Sequence, residues 1–302
     1  MLGAKAPLQP QRMNFQNNSD ILTLVSYNST GFNHQRADFL CDILDNKSTN
    51  IENCVVAIQE HFVFDKNLYT IEKHLPRDLV VYSIGSFKDV TYIKKGRGKG
   101  GLSLVWHKSI DHITTRIQVR NPRLQCIRLD LPNCKLLLIN SYFPNDTQTN
   151  NFDEQELLGC LTSIETVLLN NDHDQFILIG DLNADFNRDT RFVSLVKDFC
   201  RRLRLSHVWS RFKVDYTFSS HYDTHFSVVD HFLYSKGLEP SLADAGVLHR
   251  GDNISCHSPI FLQVLVKSLP KNQESHAEYC TFEQYRGSPC VLTTQLRCNT
   301  DL

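Results

Sequence analysis

The chain has 302 residues, of which 41% are hydrophobic and 22% charged, and its formal net charge is -1. This composition is typical of a soluble globular protein with enough residues for one large hydrophobic core. The near-zero net charge excludes a protein that is basic over its whole surface, so binding of a polyanion would require a local basic patch. Residues 20–267 contain no linker-like stretch and are predicted to form one domain.

The cysteines and the termini predict a location for the protein. None of the ten cysteines forms a CxxC pair or a zinc-like spacing with histidine. The first twenty residues are polar and lack the apolar core of a signal peptide, and no apolar run approaches the length of a membrane span. We therefore expect reduced thiols, a nuclear or cytoplasmic location, no secretion and no membrane contact. Residues 1–19 are predicted to be a flexible lead-in and residues 268–302 a disordered tail.

The first predicted elements are a strand, a helix and a second strand. Residues 21–27 (ILTLVSY) form an apolar run that ends before Asn28, and residues 35–46 have apolar side chains at helical spacing. Residues 55–59 (VVAIQ) form the second strand, which Glu60 follows. Because this βαβ order collects ligand-binding residues at one edge of a sheet, Glu60 is the first candidate carboxylate.

A basic segment occupies residues 88–128, with ten Lys or Arg and two Asp, a local balance of +8. It contains the sequence KKGRGKGG, which lacks the closing GK[ST] of a nucleotide-binding P-loop. The candidate phosphate contacts in this loop are Lys94, Lys95, Arg97 and Lys99. A solvated loop that only keeps the protein soluble is the alternative.

Other apolar runs predict further elements along the chain. Strands are predicted at residues 79–85, 102–106, 112–119, 124–131, 135–142, 176–179, 214–218, 227–234 and 259–266. Helices are predicted at residues 65–75, 152–170 and 191–203. The closely spaced strands in the middle of the chain favour antiparallel pairing.

The most informative stretch is QFILIGDLNADF, residues 175–186. A buried apolar strand stops at Gly180, and Asp181 and Asn183 follow on the same side of an extended chain. Asp181 could accept a proton or hold a metal-bound water while the Asn183 amide donates to a phosphate oxygen. A Gly/Asp/Asn turn that only closes the strand is the alternative.

Polar residues stand at the ends of five apolar strands. They are Asn28, Glu60, Tyr142, Asp181 with Asn183, and His257 with Asp230 nearby. Asp230 interrupts an apolar run, and because a buried charge needs a partner, His257 is its candidate partner. The set is rich in oxygen donors, which suits Mg²⁺ or Mn²⁺, and it contains a His–carboxylate pair that could activate water. It therefore predicts metal-assisted phosphodiester hydrolysis.

Seven motifs, taken in order, resemble the endonuclease/exonuclease/phosphatase superfamily, which includes deoxyribonuclease I, apurinic endonucleases and inositol polyphosphate phosphatases. They are SYNSTGF, AIQEHF, GRGKGGLSLVWHKSI, INSYFPND, LIGDLNADF, SVVDHFLY and GDNISCHSPI. The segments YNSTGF, QEH and GDNIS are most similar to endonuclease domains of animal non-LTR retrotransposons. The resemblance covers residues 20–267 and implies an α/β (α+β) fold, a four-layer α-β-β-α sandwich of two mixed β-sheets flanked by helices, with the active site at one edge of the sheets.

The resemblance also implies roles around a metal ion and an attacking water. Glu60 would be the principal Mg²⁺ ligand, with Asn28 close to the metal and the phosphate. His257, paired with Asp230, would either handle the attacking water or bind the phosphate directly. Asp181 would orient or deprotonate the water.

The remaining implied roles concern the phosphate. Asn183 and Tyr142 would stabilise the pentavalent transition state, and Ser227 would contact the DNA phosphate. The implied function is that of a monomeric, Mg²⁺-dependent DNA endonuclease that nicks one strand during non-LTR retrotransposition. In an intact element a reverse transcriptase module would be its partner, so this chain, which stops at Leu302, is expected to be an isolated or truncated endonuclease module.

Two positions depart from the family pattern. Thr30 stands where an acidic or amide residue is common, and Cys256 stands where Asp is common before the final histidine. A thiol cannot replace a carboxylate as a ligand of Mg²⁺, so a catalytically impaired domain that binds nucleic acid or a protein is one alternative. A phosphodiesterase acting on a phosphoinositide, a sphingolipid or RNA is the other.

Overall fold

The computed structural model describes residues 20–44, 51–87, 98–146, 154–220 and 224–270. The strands are β1 (Ile21–Asn28), β2 (Cys54–Gln59), β3 (Leu79–Ile84), β4 (Leu102–His107), β5 (Thr114–Ile117), β6 (Leu124–Leu131), β7 (Cys134–Tyr142), β8 (Gln175–Asp181), β9 (Leu205–His207), β10 (Phe218–Ser219), β11 (Phe226–Ser227), β12 (Asp230–Ser235), β13 (Leu242–Val247) and β14 (Ile260–Leu265). The α-helices are α1 (His34–Leu44), α2 (Tyr69–His74), α3 (Glu154–Asn170) and α4 (Arg191–Arg202). Short 3₁₀ helices lie at Ile51–Asn53, Asp65–Asn67, Lys108–Ile113, Val208–Ser210, Lys236–Ser241 and Val266–Ser268.

Two six-stranded sheets form the centre of the fold. The first has the strand order β13-β14-β1-β2-β4-β3, and the second has the order β5-β6-β7-β8-β12-β9. Each sheet is mixed, because β1 pairs with β2 and β7 pairs with β8 in parallel while the other neighbours are antiparallel. A separate hairpin joins β10 and β11.

The core consists of three hydrophobic clusters, because successive side chains of each strand face opposite sides of its sheet. Leu24 of β1 and Ile179 of β8 belong to the cluster that packs between the sheets. Neighbouring positions of the same sheets face outward, where Val25 packs with α1 and α2 and Leu178 packs with α3 and α4. The period of two along each strand thus produces helix, sheet, sheet and helix layers, which confirms the predicted four-layer sandwich.

Most of the longer predicted elements lie within two residues of their predicted bounds, and the exceptions are short or irregular. Residues 112–119 begin as a 3₁₀ helix, and only Thr114–Ile117 form a strand; residues 65–75 likewise divide into a 3₁₀ helix and α2. The strand predicted at 214–218 is reduced to Phe218–Ser219, because the Asp215 side chain accepts a hydrogen bond from the Tyr216 backbone N–H and bends the chain. The sequence analysis missed β9 and β13.

The strand predicted at residues 227–234 is two strands. Ser227 ends β11, and β12 begins at Asp230, so this aspartate lies at a strand end and not in the middle of a strand. The break has a local cause, because the Thr217 hydroxyl accepts hydrogen bonds from the backbone N–H groups of Val229 and Asp230. These two groups therefore turn away from regular sheet pairing.

Several cysteines that stand beside apolar residues in the sequence are small side chains of the core. Cys54, Cys126 and Cys160 are buried and free, whereas Cys200 is partly exposed. In the part of the chain that the structure describes, no helix is long and apolar enough to cross a membrane. Leu269 is buried in the core between the sheets. The predicted domain boundaries stay predictions.

Candidate active site

Strand ends from both sheets meet at one edge of the sandwich. Asn28 ends β1, and Glu60 directly follows β2, its parallel neighbour. In the second sheet, Tyr142 and Asp181 are aligned at the ends of the parallel strands β7 and β8. Asp230, the first residue of antiparallel β12, is aligned with Asp181. Two parallel pairs that end at the same edge therefore bring the predicted residues together.

The Asn28 amide joins the two sheets at this edge. Its Nδ2 donates to Glu60 Oε1 and to Asp181 Oδ2, both at 2.9 Å. Its Oδ1 accepts from the backbone N–H of Thr30 at 3.0 Å. The buried Asn28 side chain therefore holds two carboxylates side by side, and its nitrogen, not its carbonyl oxygen, faces Glu60.

His257 lies between two buried aspartates. Its Nδ1 is 2.9 Å from Asp230 Oδ2, and its Nε2 is 3.9 Å from Asp181 Oδ2. Burial disfavours charge on this imidazole, but the Asp230, Asp181 and Glu60 carboxylates outweigh burial and raise the pKa of His257 to about 9. The ring is therefore an imidazolium near neutral pH. The 2.9 Å distance shows that Asp230 contacts His257, the partner suggested by the sequence.

The pKa of Asp181 is also raised, but in a carboxyl group this disfavours the charged form. Burial raises the pKa of its carboxyl to about 7, Asp230 and Glu60 add to this effect, and His257 opposes it. Asp181 Oδ1 also accepts from the backbone N–H of Asn183 at 2.9 Å. A carboxylate with a pKa near the working pH is suited to accept a proton.

Tyr142 is a buried neutral hydroxyl beside these carboxylates. Burial, together with the Glu60 and Asp181 charges, raises its pKa well above the usual value, and the side chain hydrogen-bonds Glu60. The Arg123 guanidinium lies over the Tyr142 ring at 5.0 Å and donates to the Tyr142 carbonyl at 3.2 Å. Arg123 is itself buried and paired with Glu156 of α3 at 2.7 Å.

A cavity of about 290 Å³ opens above these groups. It is lined by Thr30, Glu60, Asn145, Asp146, Asp181, Asn183, Arg188, Phe218, His225, Ser227, Val229, Cys256 and His257. Ser227 of β11 is among these lining residues, although only 6% of it is exposed. Asn183 donates from Nδ2 to the Phe143 carbonyl at 2.9 Å, and because an amide nitrogen carries two N–H groups, the second can meet a phosphate oxygen.

Backbone strain is concentrated at this cavity. Thr30, Glu60 and Asn183 have φ values of 47°, 53° and 49°, in the left-handed region that non-glycine residues rarely adopt. Such conformations persist where the surrounding structure determines them, and they are common at functional sites. The Glu60 turn is held by hydrogen bonds from the backbone N–H of Gly31 to the Glu60 carbonyl and from the His61 N–H to the Gly101 carbonyl.

Comparison with known proteins decides the family. The sequence model described as "Endonuclease/Exonuclease/phosphatase family" matches residues 20–254. The chain belongs to the endonuclease/exonuclease/phosphatase family. The search of curated protein sequences found no match to this chain.

Solved structures are similar to this family member at low sequence identity. The AP endonuclease LMAP from Leishmania major has a TM-score of 0.68 at 13% identity, and the alignment covers 86% of this chain and 92% of that one. The endonuclease domain of TRAS1, a telomere-specific non-LTR retrotransposon, has a TM-score of 0.59 at 15% identity, with 82% and 99% covered. A 3′ phosphatase, NExo from Neisseria bound to a product DNA hairpin, has a TM-score of 0.54 at 13% identity, with 80% and 99% covered. These similarities establish the fold and leave a special relationship to retrotransposon endonucleases as a prediction.

The donor atoms at the site fit a hard divalent cation. Asp181, Asp230 and His257 offer ligand atoms within 4.8 Å of one another, and Asn28 connects Asp181 to Glu60. His257 uses Nδ1 for Asp230 and is protonated, so it is a poor ligand, whereas the carboxylates of Glu60 and Asp181 are suitable oxygen donors. Burial raises the pKa of Asp181, the Asp230 and Glu60 charges add to that effect, and a cation bound nearby would favour the charged form. Asn28 would need to turn its amide to become a ligand, so its metal role stays a prediction.

The predicted basic loop lies only partly within the described residues. Lys94, Lys95 and Arg97 lie outside the described residues. Lys99 is described, and its backbone pairs with Phe87, but Lys99 does not line the cavity that contains Glu60 and Asp181. Arg123 was counted in the local balance of +8, yet it is buried against Glu156 and is not available to DNA.

Sequence reasoning missed several residues that shape the site. The Thr217 hydroxyl and the Trp209 Nε1, which donates to the Asp230 carbonyl at 3.0 Å, fix the start of β12. Arg188 and His225 line the cavity and contact each other at 2.6 Å. These residues follow no long apolar run in the sequence, because they lie in loops or, for Trp209, in a short 3₁₀ helix.

Both departures from the family pattern lie at the cavity. The Thr30 hydroxyl donates to Ser255 Oγ at 3.1 Å, and the Ser255 hydroxyl donates to the Asn28 carbonyl at 2.7 Å. Cys256 lines the cavity, and burial together with the Glu60 charge raises the pKa of its thiol. Position 256 therefore contributes a neutral side chain beside the carboxylates.

Proposed function

We propose that this chain is a divalent-metal-dependent endonuclease that hydrolyses one phosphodiester bond in a strand of duplex DNA. The observation that carries the proposal is the convergence of Glu60, Asp181 and His257 on one cavity, with Asp230 bonded to the His257 ring behind it. The cavity is small and is bordered by acidic groups, by the His257 imidazolium and by the basic side chains Arg188 and His225. A phosphate that bridges a carboxylate-held cation and a cationic ring would satisfy both kinds of charge.

The charge states assign the proton steps. Asp181 has a pKa of about 7, so its carboxylate can take a proton from water near neutral pH as the water oxygen bonds to phosphorus. The bond between phosphorus and one ester oxygen breaks in the same displacement, and the departing oxygen takes a proton from solvent. His257 is already protonated, so we assign it to donate from Nε2 to a phosphate oxygen, with Asp230 fixing the ring through Nδ1. This assignment selects the phosphate-binding role from the two that the family resemblance left open.

Neutral donors complete the phosphate site. The Tyr142 hydroxyl and an Asn183 N–H are placed in the proposal against the negative charge that develops on the phosphate oxygens, and Ser227 contacts the phosphate from β11. When bound by Glu60, Mg²⁺ supplies charge neutralisation at the phosphate. Such groups are effective because burial limits competition from water.

DNA as the substrate is supported by chemistry and by the relatives. Arg188 and His225 bring basic groups to the cavity rim. The similar structures include an AP endonuclease, a retrotransposon endonuclease domain and an enzyme bound to a DNA hairpin. We assign the retrotransposon type of endonuclease on the YNSTGF, QEH and GDNIS segments.

Nicking of supercoiled plasmid in Mg²⁺, compared with EDTA, tests the proposal. Glu60→Gln keeps the side-chain shape but removes the ligand charge, so it should abolish nicking. His257→Ala should reduce the rate by about a hundredfold or more, since it removes a positioned charged donor. Circular dichroism serves as the folding control. If either variant nicks at the parent rate, the assigned site is wrong.

A domain that binds nucleic acid without cleaving it is the second candidate, and the neutral Cys256 at the cavity is the observation that favours it. A gel shift of the same plasmid without nicking in Mg²⁺ or Mn²⁺ would favour this candidate. Nicking that EDTA abolishes would exclude it.

A further inference from the structure

A second cavity, of about 490 Å³, adjoins the catalytic cavity. A short ladder separates the two: the Ser219 N–H donates to the Cys256 carbonyl at 2.9 Å, and the Ser258 N–H donates to the Thr217 carbonyl at 2.8 Å. Along this ladder Phe218 lines the catalytic cavity, whereas Ser219 and Ser258 line the second one. The cavities are therefore opposite faces of one extended wall.

The β10–β11 hairpin has the same two faces. Ser227, opposite Phe218, lines the catalytic cavity. Phe226, opposite Ser219, lies on the other face of the hairpin, where its ring packs against Tyr216, a residue that lines the second cavity. Phe226 is 47% exposed although it is a large aromatic side chain. A hairpin whose inner face serves the catalytic cavity thus carries an unburied aromatic ring on its outer face.

An aromatic cluster borders the second cavity. The Tyr216 ring lies 4.7 Å from the Phe226 ring and 4.4 Å from the His249 ring, measured between centroids. Ile254, which lines the same cavity, is 48% exposed. Of the four large hydrophobic side chains exposed among the described residues, Ile254 therefore lines this cavity and Phe226 packs against its Tyr216 wall.

Polar atoms occupy the rest of the lining and are held in place. The His249 ring is fixed between Ser258 Oγ and Asp215 Oδ1, each at 2.9 Å. The Asn253 side chain is fixed by donation to the His257 carbonyl at 2.8 Å. Ser219 and Ser220 add hydroxyl groups, which can both donate and accept. Exposed flat apolar groups beside fixed polar groups match a ligand that has a π-face and a polar edge.

We propose that the second cavity binds an unstacked nucleobase of the DNA strand next to the phosphodiester in the catalytic cavity. This inference rests on the proposed function, because it takes DNA as the substrate. The base stacks on Phe226 and Tyr216, contacts Ile254, and meets the serine hydroxyls with its edge. Because the two cavities share one wall, a nucleotide that leaves the duplex stack beside the cleaved bond can reach the second cavity. The enzyme therefore selects DNA that has an unpaired or easily unstacked nucleotide near the cleavage position.

Binding measured in EDTA tests the inference separately from catalysis. The probes are a fluorescein-labelled, fully paired duplex and the same duplex with a one-nucleotide bulge. The parent should bind the bulged duplex about tenfold or more tightly than the paired one, the size of effect expected for one stacked base. Phe226→Ala, and independently Ile254→Ala, should remove this preference and leave affinity for the paired duplex unchanged. Leu169→Ala, which truncates a similarly exposed side chain on α3, should keep the preference.

Equal affinity of the parent for both duplexes would overturn the inference, as would a preference that survives in both Phe226→Ala and Ile254→Ala. These outcomes are distinct from failure of the proposed function. A protein that prefers the bulged duplex through Phe226 but never nicks DNA would retain the nucleobase cavity and lose the endonuclease assignment. A protein that nicks plasmid without any preference for the bulge would do the reverse.

Discussion

Cys256 is the residue at which the site departs most from its family pattern. Cys256 lies in the wall between the two cavities and lines both, and burial raises the pKa of its thiol, so it supplies no negative charge beside Glu60. We expect Cys256→Asp to restore a charge near the cation and to lower the Mg²⁺ concentration needed for half-maximal nicking by about tenfold, the usual effect of a residue that supports metal ligands. A Mg²⁺ titration of the nicking rate measures this shift.

Cys256→Ser is the matched control, because it changes the thiol without adding charge. It should titrate like the parent. Superimposable curves for the parent and the Asp variant would show that position 256 merely fills space beside the last strand.

Thr217 supports Asp230 and carried no sequence signal. It is fully buried, and its hydroxyl accepts from the backbone N–H groups of Val229 and Asp230 at 3.0 and 3.1 Å. Thr217→Val keeps the shape but leaves both donors without an acceptor, so unfolding in urea should require about 1–3 kcal/mol less free energy. Nicking should fall while the Mg²⁺ midpoint stays constant, because Asp230 contacts His257 and not Glu60, the proposed metal ligand.

Thr166→Val provides the comparison for that measurement. Its hydroxyl donates to the Thr162 carbonyl on the exposed face of α3, so removal of the hydroxyl should leave the free energy of unfolding nearly unchanged. If the two valine variants are equally stable, the Thr217 hydroxyl does not hold the backbone of Asp230 in place.

Much of the site could be predicted at the level of single residues. Asn28, Glu60 and Asp181 could be recognised because each follows an apolar run, and parallel neighbours end at the same edge. The direction of the Asn28 amide could not be predicted, since it depends on the spacing of two carboxylates from different sheets. The partner of Arg123 was hidden for the same reason, because Glu156 lies on a helix that packs over the second sheet.

At the scale of elements, the approach of β7 to β8 depends on Gly180. Its φ is 138°, and a Cβ at this position would lie 2.0 Å from the Ser141 carbonyl oxygen. Gly180→Ala should therefore lower the free energy of unfolding by more than about 3 kcal/mol, because a backbone atom cannot move aside cheaply. Urea denaturation followed by circular dichroism gives this value.

Gly159 offers the opposite case within the same protein. It lies in α3, and an added Cβ meets nothing within 4 Å. Gly159→Ala should raise stability by about 0.5–1 kcal/mol, since alanine loses less backbone entropy in a helix. An unchanged urea midpoint for Gly180→Ala would contradict the close approach.

Long apolar strands were predictable and short edge strands were not. β1 and β8 are buried along their whole length, which agrees with their continuous apolar sequences. β13 reads LADAGV, has residues of low β-propensity, and pairs with β14 through a shifted register. Its strand conformation is imposed by the neighbouring strand, so tertiary pairing and not local sequence determines it.

At the scale of the whole molecule, polar side chains also cross between the sheets. Gln59 Nε2 donates to Asn140 Oδ1 at 2.8 Å, and Asn140 Nδ2 donates to the Ile58 carbonyl at 3.2 Å. Both side chains are fully buried. Periodicity identified strands on either side of this bridge but could not determine which strands share a sheet, so the four-layer arrangement was predictable only from the family resemblance. The bridge joins the sheets next to the site and holds their edges in register.

Acid stability is a property of the whole fold that follows from buried histidines. His231 lies inside the second sheet, where burial lowers its pKa to about 4. In the unfolded chain the same side chain binds a proton near pH 6.5, so between these values the unfolded state binds more protons. The contribution of His231 to stability is therefore complete above pH 6.5 and falls by about 3 kcal/mol as the pH drops to 4. His61, whose pKa burial also lowers to about 4, acts in the same direction.

His231→Gln separates this effect from other titrations, because glutamine can donate to the Ala184 carbonyl that His231 Nε2 contacts at 2.8 Å but carries no titrating group. Urea unfolding at pH 7.5 and at pH 5 should show a smaller loss of stability for His231→Gln than for the parent. His34→Gln, which alters a histidine side chain that is 74% exposed, should lose as much as the parent. Parallel losses in all three proteins would mean that His231 is protonated in the folded state and that its buried Nδ1 has found an acceptor, contrary to the unsatisfied nitrogen seen in the structure.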